Sequence, residues 1–314
     1  MMSPLVTVAI LTYNRERFLK ETLAALARQN YPIDQWELLV IDNNSTDNTR
    51  SVVESFSNAR PSPRYLLETK QGLDHGRNRA IAEARGQYIV LADDDILMEP
   101  TWLRELVSPL VADAEHKIGV VGGEVVPVFP DGLPPWMSDA HTPLDYRNDA
   151  GPLPAHQLPM GANFAFPRWV FDRHGQFHTD LDRQGTKLFG GGDAEIIRRL
   201  RAAGLEVWFV PAAKVFHQIP SSRLTFGYAT RHAFDSARSR VVDRVKSDRA
   251  SGASPASYLL SRAFGNVLKV IGFIVLALLN FVVLRFGSAK KALVRAWRSC
   301  GYLYQITRSS RGKL

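Results

Sequence analysis

Tyr88-Ile89-Val90-Leu91-Ala92, followed at once by Asp93-Asp94-Asp95, is the stretch on which the reading of this chain turns. Five apolar residues, rich in β-branched and aromatic types and closed by polar ones, predict a buried strand. Three carboxylates at its end concentrate negative charge that a protein interior does not accept unpaired. Oxygen ligands in that number suit a hard divalent cation. A solvated acidic turn has the same local sequence, so the rest of the chain has to separate the two readings.

Working outward, strand-like and helix-like patterns alternate. Leu5–Leu11 precedes an apolar-periodic Phe18–Ala27, Leu38–Ile41 precedes Thr46–Phe56, and Tyr65–Leu67 precedes Arg77–Ala84. Strands separated by helical crossovers predict an α/β domain with a mainly parallel sheet flanked by helices. Ligands of such sheets bind beyond the carboxyl ends of the strands. Here those ends are polar: Thr12-Tyr13-Asn14, Asp42-Asn43-Asn44 and Asp93-Asp94-Asp95. Pro127 to Pro159 is proline-rich and aperiodic, as lid or binding loops are. A second block runs through Gly161-Ala162-Asn163 and Phe177–Arg183 to Gly190-Gly191-Gly192-Asp193. Ala194–Ala203 then reads as a helix, and Glu206–Val210 as a strand ending at Pro211.

Charge divides the chain. Of a formal +8 over 314 residues, the part from Lys246 onward holds twelve Lys and Arg against Asp248 alone, a balance of +11. Eight minus eleven leaves −3 for the remainder. Basicity confined to the tail argues against nucleic acid as a partner and for a membrane surface of anionic lipids. Within the tail, Val270–Leu284 is apolar but for Gly272 and Asn280; it has no polar face of its own, so by itself it does not read as a surface-lying amphipathic helix, and it is shorter than the roughly 20 residues of a usual span. Lys269 flanks it on one side and Arg285, Lys290, Lys291, Arg295 and Arg298 on the other, which disfavours a single span. A re-entrant or shallowly inserted helix is expected ahead of a true span, or of a helix buried in the protein or an oligomer interface. Cys300 is the sole cysteine, so neither an intrachain disulfide nor a zinc set is expected, in keeping with a reducing compartment. The start of the sequence carries no signal-peptide pattern.

Six segments in order, from about Leu5 to Arg223, resemble glycosyltransferase family 2, with its GT-A fold. They are Thr12-Tyr13-Asn14-Arg15, Ile41 to Asp47, Gly72-Leu73 with Gly76 to Ala80, Ala92 to Asp95, Gly161-Ala162-Asn163, and Gly190 to Glu195. The resemblance implies a nucleotide-sugar donor held by Thr12, Tyr13, Asn14 and Asp42, with Asp42 accepting from a uracil-like base edge. An ordinary capping turn accounts for Asp42-Asn43-Asn44-Ser45 equally well. Gly72 and Arg77 fall where the family contacts ribose or diphosphate. Asp93 and Asp95 match the family's D-x-D motif, with Asp95 nearest a Mg2+ or Mn2+ ion and Asp93 acting through ribose or water. Strand alternation would turn Asp94 away from that ion, though it stays among the nucleotide-sugar residues. Some relatives place a metal-binding histidine where this chain has His217. Asp193 matches the family's general base, with Gly192 in place of the glutamate or other polar residue that often precedes it; a helix N-cap is the plainer reading. Asn163, Trp136 and Glu195 are expected at the donor sugar or acceptor, although Trp136 also suits a loop anchor.

The expected protein is thus an inverting, metal-dependent transferase from a nucleotide-diphospho-sugar, a UDP-sugar for preference. Its acceptor would be a glycan or lipid-linked hydroxyl at the cytoplasmic face of the cell membrane. Residues 1–222 would form the catalytic domain, halved near 126, and 223–314 a basic, helical, membrane-associating tail, with oligomerisation left open. Transfer to a polyprenyl phosphate, a non-catalytic sugar-nucleotide scaffold and a nucleotidyltransferase are the rivals.

Overall fold

The four apolar runs of the first hundred residues all become strands: β1 (Val6–Thr12), β2 (Trp36–Asp42), β3 (Arg64–Leu67) and β4 (Tyr88–Asp93). A computed structural model describes residues 5–137, 146–179, 190–250 and 252–311. The part of Phe177–Arg183 beyond residue 179 and the middle of the Pro127–Pro159 segment lie outside them. Every residue of β1 is buried, which is why that run has no polar alternation: helices cover both faces of the sheet. Helix α1 (Glu16–Leu26) turns Leu19, Leu23 and Leu26 inward at helical spacing.

The chain divides into two units. The first comprises Met1–Val128, Thr142–Asp180 and Gly192–Gln218; the second comprises Phe129–His141, Leu181–Gly191 and Ile219–Leu314. The first unit is built on a sheet in the order β3-β2-β1-β4-β8-β6-β9-β5, with β7 (Gly151–Pro152) paired to β9. The remaining strands are β5 (Ile96–Met98), β6 (Ile118–Val128), β8 (Asn163–Pro167) and β9 (Glu206–Gln218). Strands β3 to β4 are parallel neighbours, but β8 runs antiparallel to both β4 and β6. The sheet is therefore mixed beyond β4, where β6 and β9 pair in parallel again, and it is uniformly parallel only in the half the early alternation covered.

Three boundaries differ from expectation for identifiable reasons. Helix α3 (Leu73–Glu83) starts four residues before Arg77, which places Asp74 and Arg77 on one face. Helix α2 (Thr49–Ser55) starts after Asp47, whose carboxylate takes the Thr49 N–H at 3.1 Å. Strand β9 does not stop at Pro211. Gly123 of β6 faces Val210 and Val125 faces Val215, so four residues, Pro211 to Lys214, oppose Glu124 alone. A proline, lacking an N–H, is accommodated in such a bulge.

The second unit is helical: α7 (Phe226–Ala250), α8 (Ala256–Val282) and α9 (Phe286–Ser310). Val241 and Val245 of α7, Leu259 of α8 and Ile306 of α9 form its core. A Cβ at Gly301 would come 2.3 Å from the Phe234 carbonyl oxygen, so glycine there lets α9 lie close on α7. Helix α8 has 27 residues, because the apolar run Val270–Leu284 continues a helix begun at Ala256. Among the described residues it is the one helix that meets the length and composition needed to cross a membrane. Trp136 also belongs to this unit, its ring edge-on to Phe226 and beneath the Lys290 ammonium.

Candidate functional site

Register brings the polar strand ends together. Thr12 is level with Asp42 across β1 and β2, and Leu11 with Asp93 across β1 and β4. Beyond β4 the chain turns sharply into β5, where Ile96 pairs with His217 of β9. The Thr22 hydroxyl lies 2.8 Å from the carbonyls of both Asp94 and Ile96, and the Gln218 N–H donates to the Asp95 carbonyl at 2.8 Å. The acidic turn is thereby tied to α1 on one side and β9 on the other.

The result is a cluster. One potential ligand atom each from Asp93, Asp95 and His217 lies within 4.8 Å of the others, and His217 Nε2 is 3.0 Å from Asp95 Oδ1. Arg15 pairs through Nη1 with Asp94 Oδ1 at 3.1 Å and with Asp95 Oδ2. Asp94 is buried and engaged by Arg15, and it is not among the three residues whose ligand atoms converge. Burial pushes Asp93 above the usual carboxylate range, with Asp95 adding and His217, Arg77 and Arg15 opposing. Burial likewise carries Asp94 up to about 7, against the pull of Arg15. Burial would raise Asp95 too, but the His217 hydrogen bond and the Arg15 charge hold it below the usual range. Burial would lower His217, but the Asp95 hydrogen bond and the charges of Asp95 and Asp93 together hold it above the usual imidazole value. Negative charge here exceeds what the resident cations compensate, and the donor set of two carboxylates and an imidazole fits Mn2+ or Mg2+.

A second constellation surrounds Asp193, in the first turn of α6 (Gly192–Ala202). Arg77 Nη1 sits 2.6 Å from Asp193 Oδ1 and 2.8 Å from Asp74 Oδ1, with its guanidinium 4.9 Å from the Phe177 ring centroid. The side chain of Arg77 is 4% exposed and that of Asp193 39%. A buried cation thus holds a carboxylate that still reaches solvent. Two glycines leave the room. A Cβ at Gly161 would meet Asp193 Oδ2 at 2.1 Å, and one at Gly192 would meet Asp74 Oδ2 at 2.3 Å. Gly192 thus lies against a carboxylate from α3.

Several sequence-predicted contacts are otherwise occupied. Arg77 is buried and engaged by two carboxylates, Asp74 and Asp193. Asp42 is buried; its Oδ1 accepts the Ser45 N–H at 2.8 Å and its Oδ2 the Tyr65 hydroxyl at 2.7 Å, the capping-turn arrangement. Burial and that bond hold the Tyr65 phenol up to about 12. Asn163 is wholly buried: its Oδ1 accepts from Trp102 Nε1 at 2.9 Å, and its Nδ2 donates to the carbonyls of Ala213 and Glu124 at 2.7 and 3.3 Å. Those carbonyls belong to the bulge between β6 and β9, so this amide satisfies bulge groups and does not face a sugar. Glu195 pairs with Arg199 at 3.0 Å. Trp136 lies in the second unit, as described.

At the ends of β1 and β2, Tyr13 is exposed and Asn14, at φ 52°, accepts the Thr46 N–H at 2.7 Å. Gly72, at φ 147°, donates its N–H to Asn43 Oδ1 at 2.7 Å. Reading the sequence missed Arg15, Asp74, Tyr65 and Phe177 as parts of these constellations. Arg15 closes a motif already singled out, and Asp74 precedes Arg77 by one helical step; Tyr65 and Phe177 gave no signal.

The sequence matches glycosyl transferase family 2 over residues 7–175. Glycosyltransferase AglE of Haloferax volcanii is 32% identical over 208 residues, 66% of this chain and 64% of that protein. The chain spans less than two thirds of the length of such curated relatives. Mannosyltransferase PcManGT of Pyrobaculum calidifontis, solved with GDP-Man and Mn2+, superposes with a TM-score of 0.57 at 19% identity, covering 94% of this chain and 86% of that one. TarS 1-349 of S. aureus, solved with UDP-GlcNAc, gives 0.55 at 15% identity, covering 98% and 92%. These likenesses identify the fold as GT-A. With more than half of its length matched by the family, the chain belongs to glycosyl transferase family 2.

Proposed function

We propose that the chain is an inverting, divalent-metal-dependent glycosyltransferase. It would move a sugar from a nucleotide-diphospho-sugar, preferentially a UDP-sugar, to a hydroxyl of a glycan or lipid-linked acceptor. The observation that carries the reading is the pairing of two constellations in the first unit: the Asp93, Asp95 and His217 cluster, and Asp193 held by Arg77. Asp93, Asp95 and His217 would hold Mg2+ or Mn2+, which when bound offsets charge on the diphosphate and the leaving nucleotide. Thr12, Tyr13, Asn14 and the backbone around Asp42 and Gly72 form the nucleotide edge, with Gly72 permitting close backbone approach. Asp193 would take the proton of the attacking acceptor hydroxyl. A single displacement of this kind inverts the anomeric carbon. The UDP-GlcNAc complex of TarS supports a UDP-sugar, and the GDP-Man and Mn2+ complex of the mannosyltransferase supports the metal.

The basic tail supports a membrane surface at the cytoplasmic face as the second partner. Nucleoside diphosphate release from UDP-, GDP- and TDP-sugars, with Mn2+ or Mg2+ and with membrane extract as acceptor, tests the reading. Release from one donor, lost with EDTA and in Asp95→Ala, is expected. Binding without release would sink it in favour of a scaffold. Full activity of Asp193→Asn would move the acceptor to a phosphate, which needs no base.

A further inference from the structure

The second unit says how the tail meets lipid. Helices α8 and α9 are joined by three residues and run antiparallel. Phe281 touches Phe286, with ring centroids 5.5 Å apart. Farther from the turn, the Arg295 guanidinium lies 6.0 Å from the Phe273 ring, and that of Arg262 6.0 Å from Tyr302. The α8 face towards α9 carries Leu259, Asn266 and Ala277, all buried. The opposite face carries Leu260, Phe264, Ile271, Leu278 and Val282, each more than half exposed. They recur at four- and seven-residue steps, so the exposed apolar surface is one continuous stripe, about 33 Å long at 1.5 Å per residue. From Ala256 to Ser310 the sequence has eight Lys and Arg and no Asp or Glu. Asn266 and Asn280 donate their amides to their own helix, at 2.8 and 2.7 Å.

An upright α8 conflicts with this arrangement. Arg295 is level with Phe273, inside the apolar run, and Lys290 and Lys291 lie between it and the turn. Standing α8 across a hydrocarbon core about 30 Å thick would carry those cations into it alongside. Laid flat, the same hairpin presents only apolar side chains to the acyl chains and keeps every cation at headgroup level or above.

We infer that α8 and α9 form a hairpin lying in the plane of an anionic bilayer leaflet, α8 sunk by its outer face to the depth of the upper acyl chains and α9 stacked on the side away from the lipid. The inference rests on the membrane reading of the tail and adds its orientation. The excess of cations without a single acid selects anionic over neutral lipid.

The test uses the full chain with Cys300→Ser and single cysteines at Leu260, Ile271 or Val282, carrying an environment-sensitive fluorophore. Vesicles of phosphatidylcholine, with and without phosphatidylglycerol, contain quenchers at graded depths. All three positions should quench at one shallow depth, within about 5 Å of one another. Binding should require phosphatidylglycerol and weaken by about fivefold in Lys290→Gln or Arg298→Gln. Binding with depths that step along the helix, Leu260 and Val282 about 33 Å apart, would overturn the flat hairpin while keeping the membrane partner. Absence of vesicle binding, with cross-linking between cysteines at 271 in solution, would assign the stripe to a second copy of the chain and overturn both.

Discussion

Replacing Gly192 by alanine probes how the candidate base is held. A Cβ at 192 would lie 2.3 Å from Asp74 Oδ2, and ordinary contact begins at 3.4 Å, so the carboxylate must retreat by about 1 Å. Its bond to Arg77 Nη1 is 2.8 Å long, and that retreat takes it beyond hydrogen-bond range. Asp74 and Arg77 are 2% and 3% exposed, so water does not replace the lost partner. A charge-assisted bond of this kind contributes about 1.5–3 kcal/mol, which sets the expected destabilisation at about 2 kcal/mol. Helix propensity alone favours alanine by up to about 1 kcal/mol, so the sign of the change discriminates between the two accounts. Urea unfolding of the variant, beside Gly191→Ala where a Cβ meets nothing within 4 Å, measures it. Arg77 also holds Asp193, so donor turnover should fall by about tenfold or more, the equivalent of 1.4 kcal/mol in the barrier. A variant as stable and as active as Gly191→Ala would refute the reasoning.

Other perturbations have equally definite outcomes. Asn163→Ala leaves the buried Trp102 N–H and Ala213 carbonyl without their partner, at about 1–3 kcal/mol each; thermal unfolding should show the loss, and Asn163→Asp, which sets a buried carboxylate oxygen against the Ala213 carbonyl, should be no more stable than Asn163→Ala. His217→Ala should weaken Mn2+ binding by about tenfold or more in calorimetric titration, and unchanged affinity would leave His217 a structural partner of Asp95. The folded chain holds the Tyr65 proton more tightly than the unfolded chain, up to about 12. That contact therefore stabilises fully below the phenol's ordinary pKa of 10.0 and is lost as pH rises through about 12; Tyr65→Phe should remove this part of the alkaline pH dependence of unfolding.

Strand ends and the acidic turn were legible in the sequence because each has a local cause: an apolar run, then polar residues. The cluster of Asp93, Asp95 and His217 was reachable only through the family resemblance, since the pairing of Ile96 with His217 joins residues 121 apart in number. Asn163 shows where such reasoning fails. Its place in a motif suggested ligand contact, whereas its three hydrogen bonds answer a bulge that no local pattern announces. Arg77 was placed by the family resemblance alone; of its partners, Asp74 lies one helical turn away and Asp193 on another helix, which no local pattern announces. The tail was legible as helical, and the apolar run Val270–Leu284 turns out to be the C-terminal half of α8, which begins at Ala256.

The four residues from Pro211 to Lys214, set against Glu124 alone, have a bearing on how this site changes between related chains. Side chains alternate along β9, so the number of residues in that bulge decides which face His217 presents. Deleting one of them would leave Glu206–Val210 anchored and rotate everything beyond by half a turn, carrying the imidazole away from Asp95 and offering Phe216 or Gln218 instead. A ligand can thus be lost or gained by a change in spacing while the histidine stays written in the sequence. Aligning that histidine between two chains says little until the residues between it and the valine at 210 have been counted.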